Sequence, residues 1–187
     1  MEPLRPFAAG DLTWVHVRAM RGEYHLVAGG NFLAALRRET VFHTIAAAEA
    51  ADGRWTFRRV GLFQPSISVR PAGSDVNIAI LETGKTGGGI LRFSDGRRYT
   101  WVNANSRGSK WTFTMEDGTV LVRFLIRASI RKYEGVVQVE PAGRGLGELT
   151  LLLLLGWYLI VISIWSARLT VEKPTHPTHP THPSGGS

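Results

Sequence analysis

The residues of this chain best suited to chemistry are the histidines of a Thr-His-Pro repeat near its C-terminus. His176, His179 and His182 recur every third residue, and three residues per turn is the period of a polyproline II helix. They would line one edge of such a helix and could bind zinc, nickel or copper weakly. The alternative, which we favour, is a disordered low-complexity tail over residues 169–187. We therefore predict no metal site.

A second candidate is the glycine-rich turn at Lys85, which fits a relaxed phosphate-binding loop over residues 79–86, with Ala79 in place of the first glycine. Such a loop must lead into a helix, because backbone N–H groups at the helix start hold the phosphate. Here the glycines at 87–89 lead into ILRF, which is typical of a strand. We therefore predict a hairpin with one exposed lysine, and no nucleotide site.

No other pattern indicates catalysis. Cysteine is absent, which excludes disulfides, thiolate metal sites and a cysteine nucleophile. Asp52, Asp95 and Asp117 each precede a glycine and are explained by turns. The remaining histidines occur singly in predicted strands, and no serine-elbow pattern or metal-spaced cluster is present. We therefore predict neither an enzyme nor a cofactor.

The charge of the chain points to an anionic partner. The formal net charge is +7, from 22 Lys and Arg residues against 15 Asp and Glu residues. A basic surface favours nucleic acid or an anionic lipid leaflet as the partner. The alternative is an arginine-rich composition with no partner. We predict that anionic ligands are contacted by the following residues: Arg58, Lys85, Arg97, Arg98, Arg127 and Arg131.

Two Trp-Thr-Phe sequences, at 55–57 and 111–113, bear on the nucleic-acid alternative. Exposed aromatic residues among basic ones would form a stacking platform for a single strand. Here the aromatics alternate with threonine, and a period of two indicates one buried and one wet face of a strand. We expect these aromatics in the core, so nucleic acid is a disfavoured partner. The sequence leaves a protein partner and the oligomeric state open.

Most of the chain consists of short runs of strand-forming residues, separated by turns. Gly-Gly or Asp-Gly pairs, which tolerate positive φ in hairpins, occur at 29–30, 52–53, 95–96 and 117–118. The predicted strands are 13–18, 23–28, 31–37, 40–47, 54–60, 65–70, 76–82, 89–94, 98–103, 110–115, 119–125 and 134–140. Helical alternatives remain for 46–51, AAAEAA, and for 123–132, where arginines recur every fourth residue. So many strands favour a barrel or a sandwich, and closure into a barrel removes the exposed edges.

One uncharged segment, LTLLLLLGWYLIVISIWSA at 149–167, is apolar on every side and must be covered by protein or lipid. As a helix it would be about 28 Å long, close to the ~30 Å core of a bilayer. Its central Trp and Tyr argue against a span, because spans place these residues at the interfaces. A barrel of about twelve strands is too wide for its own side chains to fill. We therefore predict a central helix at 148–168, with these core residues: Leu152, Leu153, Trp157, Tyr158, Ile160 and Trp165.

The strand count, the Gly and Asp-Gly turns and the terminal LTLLLLLGWYLIVISIW helix together resemble the tubby C-terminal-like superfamily over residues 11–168. That superfamily includes tubby domains, phospholipid scramblases and LURP-one-related proteins, and the GWYL portion resembles the helix of small uncharacterised bacterial members. The resemblance implies a mainly β fold of the α+β class, a twelve-stranded antiparallel barrel closed around its hydrophobic C-terminal helix. Better-studied members touch membranes or anionic lipids, which agrees with the basic charge.

We accordingly expect a flexible N-terminal arm at 1–10 followed by one non-enzymatic barrel domain. It would bind anionic lipid headgroups or a protein through a basic face, in the cytoplasm or peripherally at the membrane; no secretory signal is visible at the N-terminus. The alternative is a tail-anchored, single-pass membrane protein with a cytoplasmic β-domain. Arg127, Arg131, Lys132 and Arg144 precede the apolar segment and would keep that side inside.

Overall fold

The computed structural model describes residues 1–18, 22–39, 45–61, 65–84, 87–128 and 133–171. Most of the predicted tail therefore lies outside the described residues. The elements are β1 (Leu12–Arg18), β2 (Glu23–Ala28), β3 (Asn31–Arg38), β4 (Ile45–Ala50), β5 (Gly53–Val60), β6 (Ser66–Pro71), β7 (Ala79–Thr83), β8 (Gly89–Phe93), β9 (Arg98–Asn103), β10 (Lys110–Thr114), β11 (Val120–Ala128), β12 (Tyr133–Val139), α1 (Pro141–Arg144) and α2 (Leu149–Val171).

The strands form one closed antiparallel barrel, which confirms the predicted twelve-stranded fold. Each strand pairs with its neighbours in sequence, and β1 closes the ring against β12, with Trp14 opposite Gly135. Odd-numbered strands run from the bottom of the barrel, where α2 begins, to the top, where α2 leaves. Even-numbered strands run back. Closure pairs every strand on both sides, so the described sheet offers no free edge for aggregation.

Helix α2 runs through the interior of this barrel. Every residue from 149 to 160 is buried. Trp157 stacks on Trp14 of β1, with 5.6 Å between the ring centroids, and Tyr158 lies 5.4 Å from Phe57 of β5 by the same measure. These two strands stand four places apart in the ring. The helix therefore contacts well-separated walls at once and fills the space that the strands enclose.

The composition of α2 explains why it is held inside. The five leucines at 151–155 are each no more than 3% exposed. Full burial of such a side chain stabilises a fold by about 1.5–3 kcal/mol, so every face of the helix gains from the surrounding wall. Other core positions predicted from the sequence are buried as well: Trp157, Tyr158 and Ile160. The side chain of Trp165 lies outside the described part of the structure.

Both helical alternatives fail where the structure describes them. The AAAEAA segment lies mainly in β4, whose Ala46, Ala48 and Ala50 face the core, because pairing with β3 and β5 outweighs the helix propensity of alanine. From residue 123 the chain continues as β11 to Ala128, whereas 129–132 and the predicted strand residues 40–44 fall outside the described residues. Strand β7 begins only at Ala79, because the preceding residues form a turn.

The N-terminal residues pack against the bottom of the barrel. Leu4 and Ala8 are 4% and 3% exposed, and they flank a 3-10 turn at Arg5–Phe7. The backbone N–H of Glu2 donates to the carbonyl oxygen of Phe32 at 2.9 Å, near the start of β3. These contacts hold residues of the segment 1–10 against the barrel, whereas the sequence predicted a flexible arm there.

Candidate functional site

The predicted anion contacts do not form a single cluster. Arg97 and Arg98 lie at the bottom of the barrel, at the turn between β8 and β9. Arg58, near the end of β5, and Arg127, near the end of β11, lie at the top but on opposite walls, six strands apart. Two further predicted contacts fall outside the described residues: Lys85 and Arg131.

At the bottom of the barrel, arginines are matched by carboxylates. Arg97 Nη1 lies 2.5 Å from Glu148 Oε2, and its Nη2 donates to Asp95 Oδ2 at 2.6 Å. Further ion pairs on this side of the molecule are Arg54–Glu49, Arg70–Asp75, Arg98–Glu116 and Arg123–Glu140. This pairing neutralises much of the positive charge at the bottom of the barrel, where Arg5 and Arg144 are the described arginines that form no ion pair.

Glu148 ties the start of α2 to the barrel wall. Its side chain is only 8% exposed and accepts hydrogen bonds from Tyr99 Oη and Arg97. Burial first, and then the contact with Glu148, raise the pKa of Tyr99 to about 12. The hydrogen bond from Arg97 lowers the pKa of the Asp95 carboxyl below its ordinary value. This network fixes the geometry of the barrel bottom and does not resemble an open binding site.

Tyr99 makes the stability of the barrel sensitive to alkaline pH. A phenol in the unfolded chain loses its proton near pH 10, whereas the folded protein retains it to about 12. The free energy of unfolding should therefore fall between these values, by about 2 kcal/mol from this group. Urea unfolding from pH 8 to 12 measures the fall, and Tyr99→Phe should reduce it by about 2 kcal/mol. The fall that remains belongs to Tyr158, because burial raises the pKa of that phenol as well. An unchanged pH dependence in that variant would contradict the assignment.

At the top of the barrel, several cations have no acidic partner. Arg58, Arg107, Lys110 and Arg127 are exposed, and among the described residues none of them forms an ion pair. The described carboxylates at this end are Glu23, Glu39, Glu82 and Glu134. Glu23 pairs with Arg37 at 3.1 Å and Glu82 with Arg92 at 3.3 Å, so these two are already neutralised. Glu134 stands opposite Arg127 in the ladder between β11 and β12, but the two side chains form no ion pair. The top is thus the basic pole of the molecule.

The top rim also exposes apolar side chains on its outer surface. Val17, Val60 and Val102 are 48%, 48% and 39% exposed. They lie near the upper ends of β1, β5 and β9, which are spaced four strands apart around the ring. The apolar residues Val161, Ile162 and Ile164 of α2 are only partly buried at the same end. We call this surface the top rim. It consists of exposed cations and partly or fully exposed apolar residues: Arg58, Arg107, Lys110, Arg127, Val17, Val60, Val102, Val161, Ile162 and Ile164.

A shallow groove of about 630 Å³ crosses the outer wall over β8 and β9, between Ile90 and Asn103. Two of its polar side chains, Asn103 and Asn105, are already engaged in hydrogen bonds. Asn103 Oδ1 accepts from the N–H of Asn105 at 3.1 Å, and Asn105 Nδ2 donates to Ser109 Oγ at 2.9 Å. These bonds stabilise the turn between β9 and β10 and leave few free groups for a ligand.

Within the described residues, the structure gives no support to a phosphate-binding loop or to a metal site. The N–H of Gly84 donates to the carbonyl of Gly88 at 2.7 Å, and β8 follows where a phosphate-binding loop needs a helix. Lys85 itself is outside the described residues. Over the described ranges, no group of three or more His, Asp or Glu side chains is arranged to hold a metal.

Sequence reasoning missed Arg107 and Lys110, and it did not separate the two ends of the barrel. The missing signal was topological. In a barrel of consecutive hairpins, odd strands end at one pole and even strands begin there, so each arginine can be assigned to a pole by counting turns. Counting in this way places Arg97 and Arg98 among carboxylates and Arg127 among unpaired cations.

Comparison of this chain with protein-family models, with curated proteins and with solved structures yields no match. The segment 149–167, predicted as an alternative membrane span, lies inside the barrel from residue 149 to 160. Within the described ranges, none of the helices has the length and apolar character needed to cross a bilayer.

Proposed function

We propose that this chain is a non-enzymatic barrel domain, similar to tubby-like proteins, that binds anionic lipid headgroups through its top rim. The proposal rests on one observation, the difference in ion pairing between the two poles. Most described arginines at the bottom are paired with carboxylates, and only Arg5 and Arg144 there lack such a pair, whereas Arg58, Arg107, Lys110 and Arg127 at the top are exposed and form no ion pair with a described residue. An anion docking at the top displaces only water from these cations and breaks no internal ion pair.

The shape of the top rim favours a membrane surface over a single small anion. Arg58 and Arg127 lie six strands apart, too far around the ring to share one headgroup. A lipid leaflet presents many headgroups in a plane and can satisfy such a ring. The exposed valines of the rim could then enter the interfacial layer, adding apolar burial to the electrostatic attraction.

Nucleic acid fits the same surface poorly. A single-strand platform needs exposed aromatic side chains beside its cations. The aromatics that prompted this alternative lie in the core: Phe57 and Phe113 are fully buried, and Trp111 is 8% exposed. Trp55 is partly buried against the same core. A protein partner with an acidic surface remains the competing ligand, and the following experiment separates it from lipid.

We expect the full-length protein to co-sediment with vesicles that contain phosphatidylglycerol and not with pure phosphatidylcholine vesicles. Binding should weaken steeply with added salt, because exposed charges are screened. The double variant Arg58→Gln/Arg127→Gln should bind at least about tenfold more weakly, since each cation near an anionic leaflet contributes about 1 kcal/mol. The measurement is the bound fraction as a function of lipid concentration at low ionic strength.

The matched control removes the same charge from the bottom. Arg5 and Arg144 are exposed there and form no ion pair with any residue in the described ranges, so Arg5→Gln/Arg144→Gln should bind nearly as the parent does. If both double variants lost vesicle affinity equally, the loss would reflect net charge alone, and the top rim would be rejected as the lipid-binding surface. Absence of vesicle binding at low salt would reject lipid and leave the protein partner.

A further inference from the structure

Arg59 is a cation on the inner side of the barrel wall. Its side chain is partly buried, whereas that of the preceding Arg58 is exposed. In the ladder between β5 and β6, Arg59 stands opposite Ile67 and Arg58 opposite Ser68. Ile67 is fully buried in the core, so the alternation of the strand turns Arg59 toward α2 and Arg58 toward solvent.

The guanidinium of Arg59 has no carboxylate among the described residues. Its Nη1 donates to the hydroxyl oxygen of Ser166 on α2 at a long 3.4 Å, and the arginine also lies close enough to Tyr158 to oppose the rise that burial causes in the pKa of that phenol. A neutral hydroxyl at that distance is a weak acceptor for a charged donor. The bond to Ser166 lies at the exposed upper end of the barrel, so the guanidinium is accessible to an anionic ligand there.

A cleft of about 220 Å³ opens beside this arginine, between the upper ends of β6 and β7 and the side of α2. Its walls include the apolar Ile67, Leu159 and Ile162, and Ser163 lies on its rim. The cleft therefore joins an apolar wall to one cation. This is about the volume that seven water molecules occupy in the liquid.

We propose that this cleft binds one single-chain anionic amphiphile, with its carboxylate or phosphate on Arg59 and its chain against Ile67, Leu159 and Ile162. The occupant follows from charge complementarity, because the cation lacks an acidic partner and the adjoining wall is apolar. A purely polar anion would leave that wall wet, and an uncharged hydrocarbon would leave Arg59 unpaired. A short alkyl chain suits a cleft of this size.

This inference goes beyond headgroup binding at the top rim, because it requires no bilayer. Equilibrium dialysis of the full-length protein with labelled octanoate at about 1 mM tests it directly, in the absence of vesicles. We expect saturable binding that Arg59→Gln weakens by about tenfold, the usual loss when a charge-assisted hydrogen bond is removed. Arg5→Gln, which removes an exposed cation at the opposite end of the barrel, should bind octanoate within about twofold of the parent.

Two further arms test the cleft and identify the source of the anion. Ser163→Trp should fill the cleft and abolish binding, and thermal melting checks that both this variant and Arg59→Gln remain folded. Octyl phosphate binding more tightly than octanoate would identify a lipid phosphate as the natural head, and the reverse order a fatty carboxylate. Octanol and acetate should each bind at least about tenfold more weakly than octanoate, since each lacks one half of the recognition.

Equal octanoate binding by the Arg59→Gln and Arg5→Gln variants would overturn the site, as would no binding to the parent protein. Neither result affects the top rim, because vesicle binding is measured separately with Arg58→Gln/Arg127→Gln. Conversely, the protein could bind octanoate through Arg59 and show no binding to anionic vesicles. That result would support the cleft as a binding site and reject the proposed membrane function.

Discussion

A chain carrying Leu153→Arg is expected not to form the barrel at all. Leu153 is fully buried in the middle of the buried part of α2, where every neighbouring helix residue is buried too. A guanidinium at this depth would have no carboxylate to pair with and no route to water. Leaving one charge buried and unpaired costs several kcal/mol, which is comparable with the 5–15 kcal/mol that separates a typical folded domain from its unfolded chain. Near-ultraviolet circular dichroism of the tryptophans and gel filtration measure the outcome.

The matched control is Ser163→Arg, which introduces the same side chain on the same helix where α2 is exposed. We expect this variant to fold and to melt close to the parent protein, because surface substitutions usually change stability by less than about 0.5 kcal/mol. A Leu153→Arg protein with parental tryptophan signals and melting would mean that α2 is not enclosed. Loss of folding in both variants would point to a general intolerance of charge on the helix and not to its burial.

The enclosed helix shows how much of the fold could be predicted from the sequence. Hairpin dipeptides such as Asp52-Gly53 and Asp95-Gly96 fix where strands end, and alternation in 98–103 fixes which face is buried. A volume argument predicts that the helix lies inside the barrel, because twelve strands enclose more space than their own side chains fill and the apolar segment 149–167 must be covered. Local propensity failed at β4, where alanines form a strand through pairing on both sides.

The candidate site was harder to predict, because it depends on which end of the barrel a residue occupies. Arg58 and Arg127 were singled out with Arg97 and Arg98, although the latter pair lies at the bottom among carboxylates. The composition of the chain gives the number of charged residues but not which of them form ion pairs. Arg97 and Glu148 are far apart in the sequence, so their ion pair could not be predicted from local patterns. The inward turn of Arg59 follows from strand parity once Phe57 is known to be buried.

Gly135 in β12 is expected to tolerate no larger residue. A Cβ atom added there would lie 2.8 Å from Cη2 of Trp157 and overlap Cζ3 of the same ring. The ring cannot retreat, since it is fully buried and stacks on Trp14 at an interplanar angle of 4°. Replacing glycine in a strand normally gains about 0.5–1 kcal/mol. Here overpacking should outweigh that gain, and we expect Gly135→Ala to lower the free energy of unfolding by about 3 kcal/mol.

A double-mutant cycle with Trp157→Phe separates the clash from other causes. The smaller ring leaves space where the indole met Gly135, so Gly135→Ala should cost at least about 1 kcal/mol less in that background. Gly147→Ala supplies the control, because an added Cβ there meets no atom within 4 Å. It should leave the urea midpoint essentially unchanged. Strict additivity of the two core substitutions would show that the wall and the helix are not in direct contact at this point, and it would remove the reason for a glycine opposite Trp14.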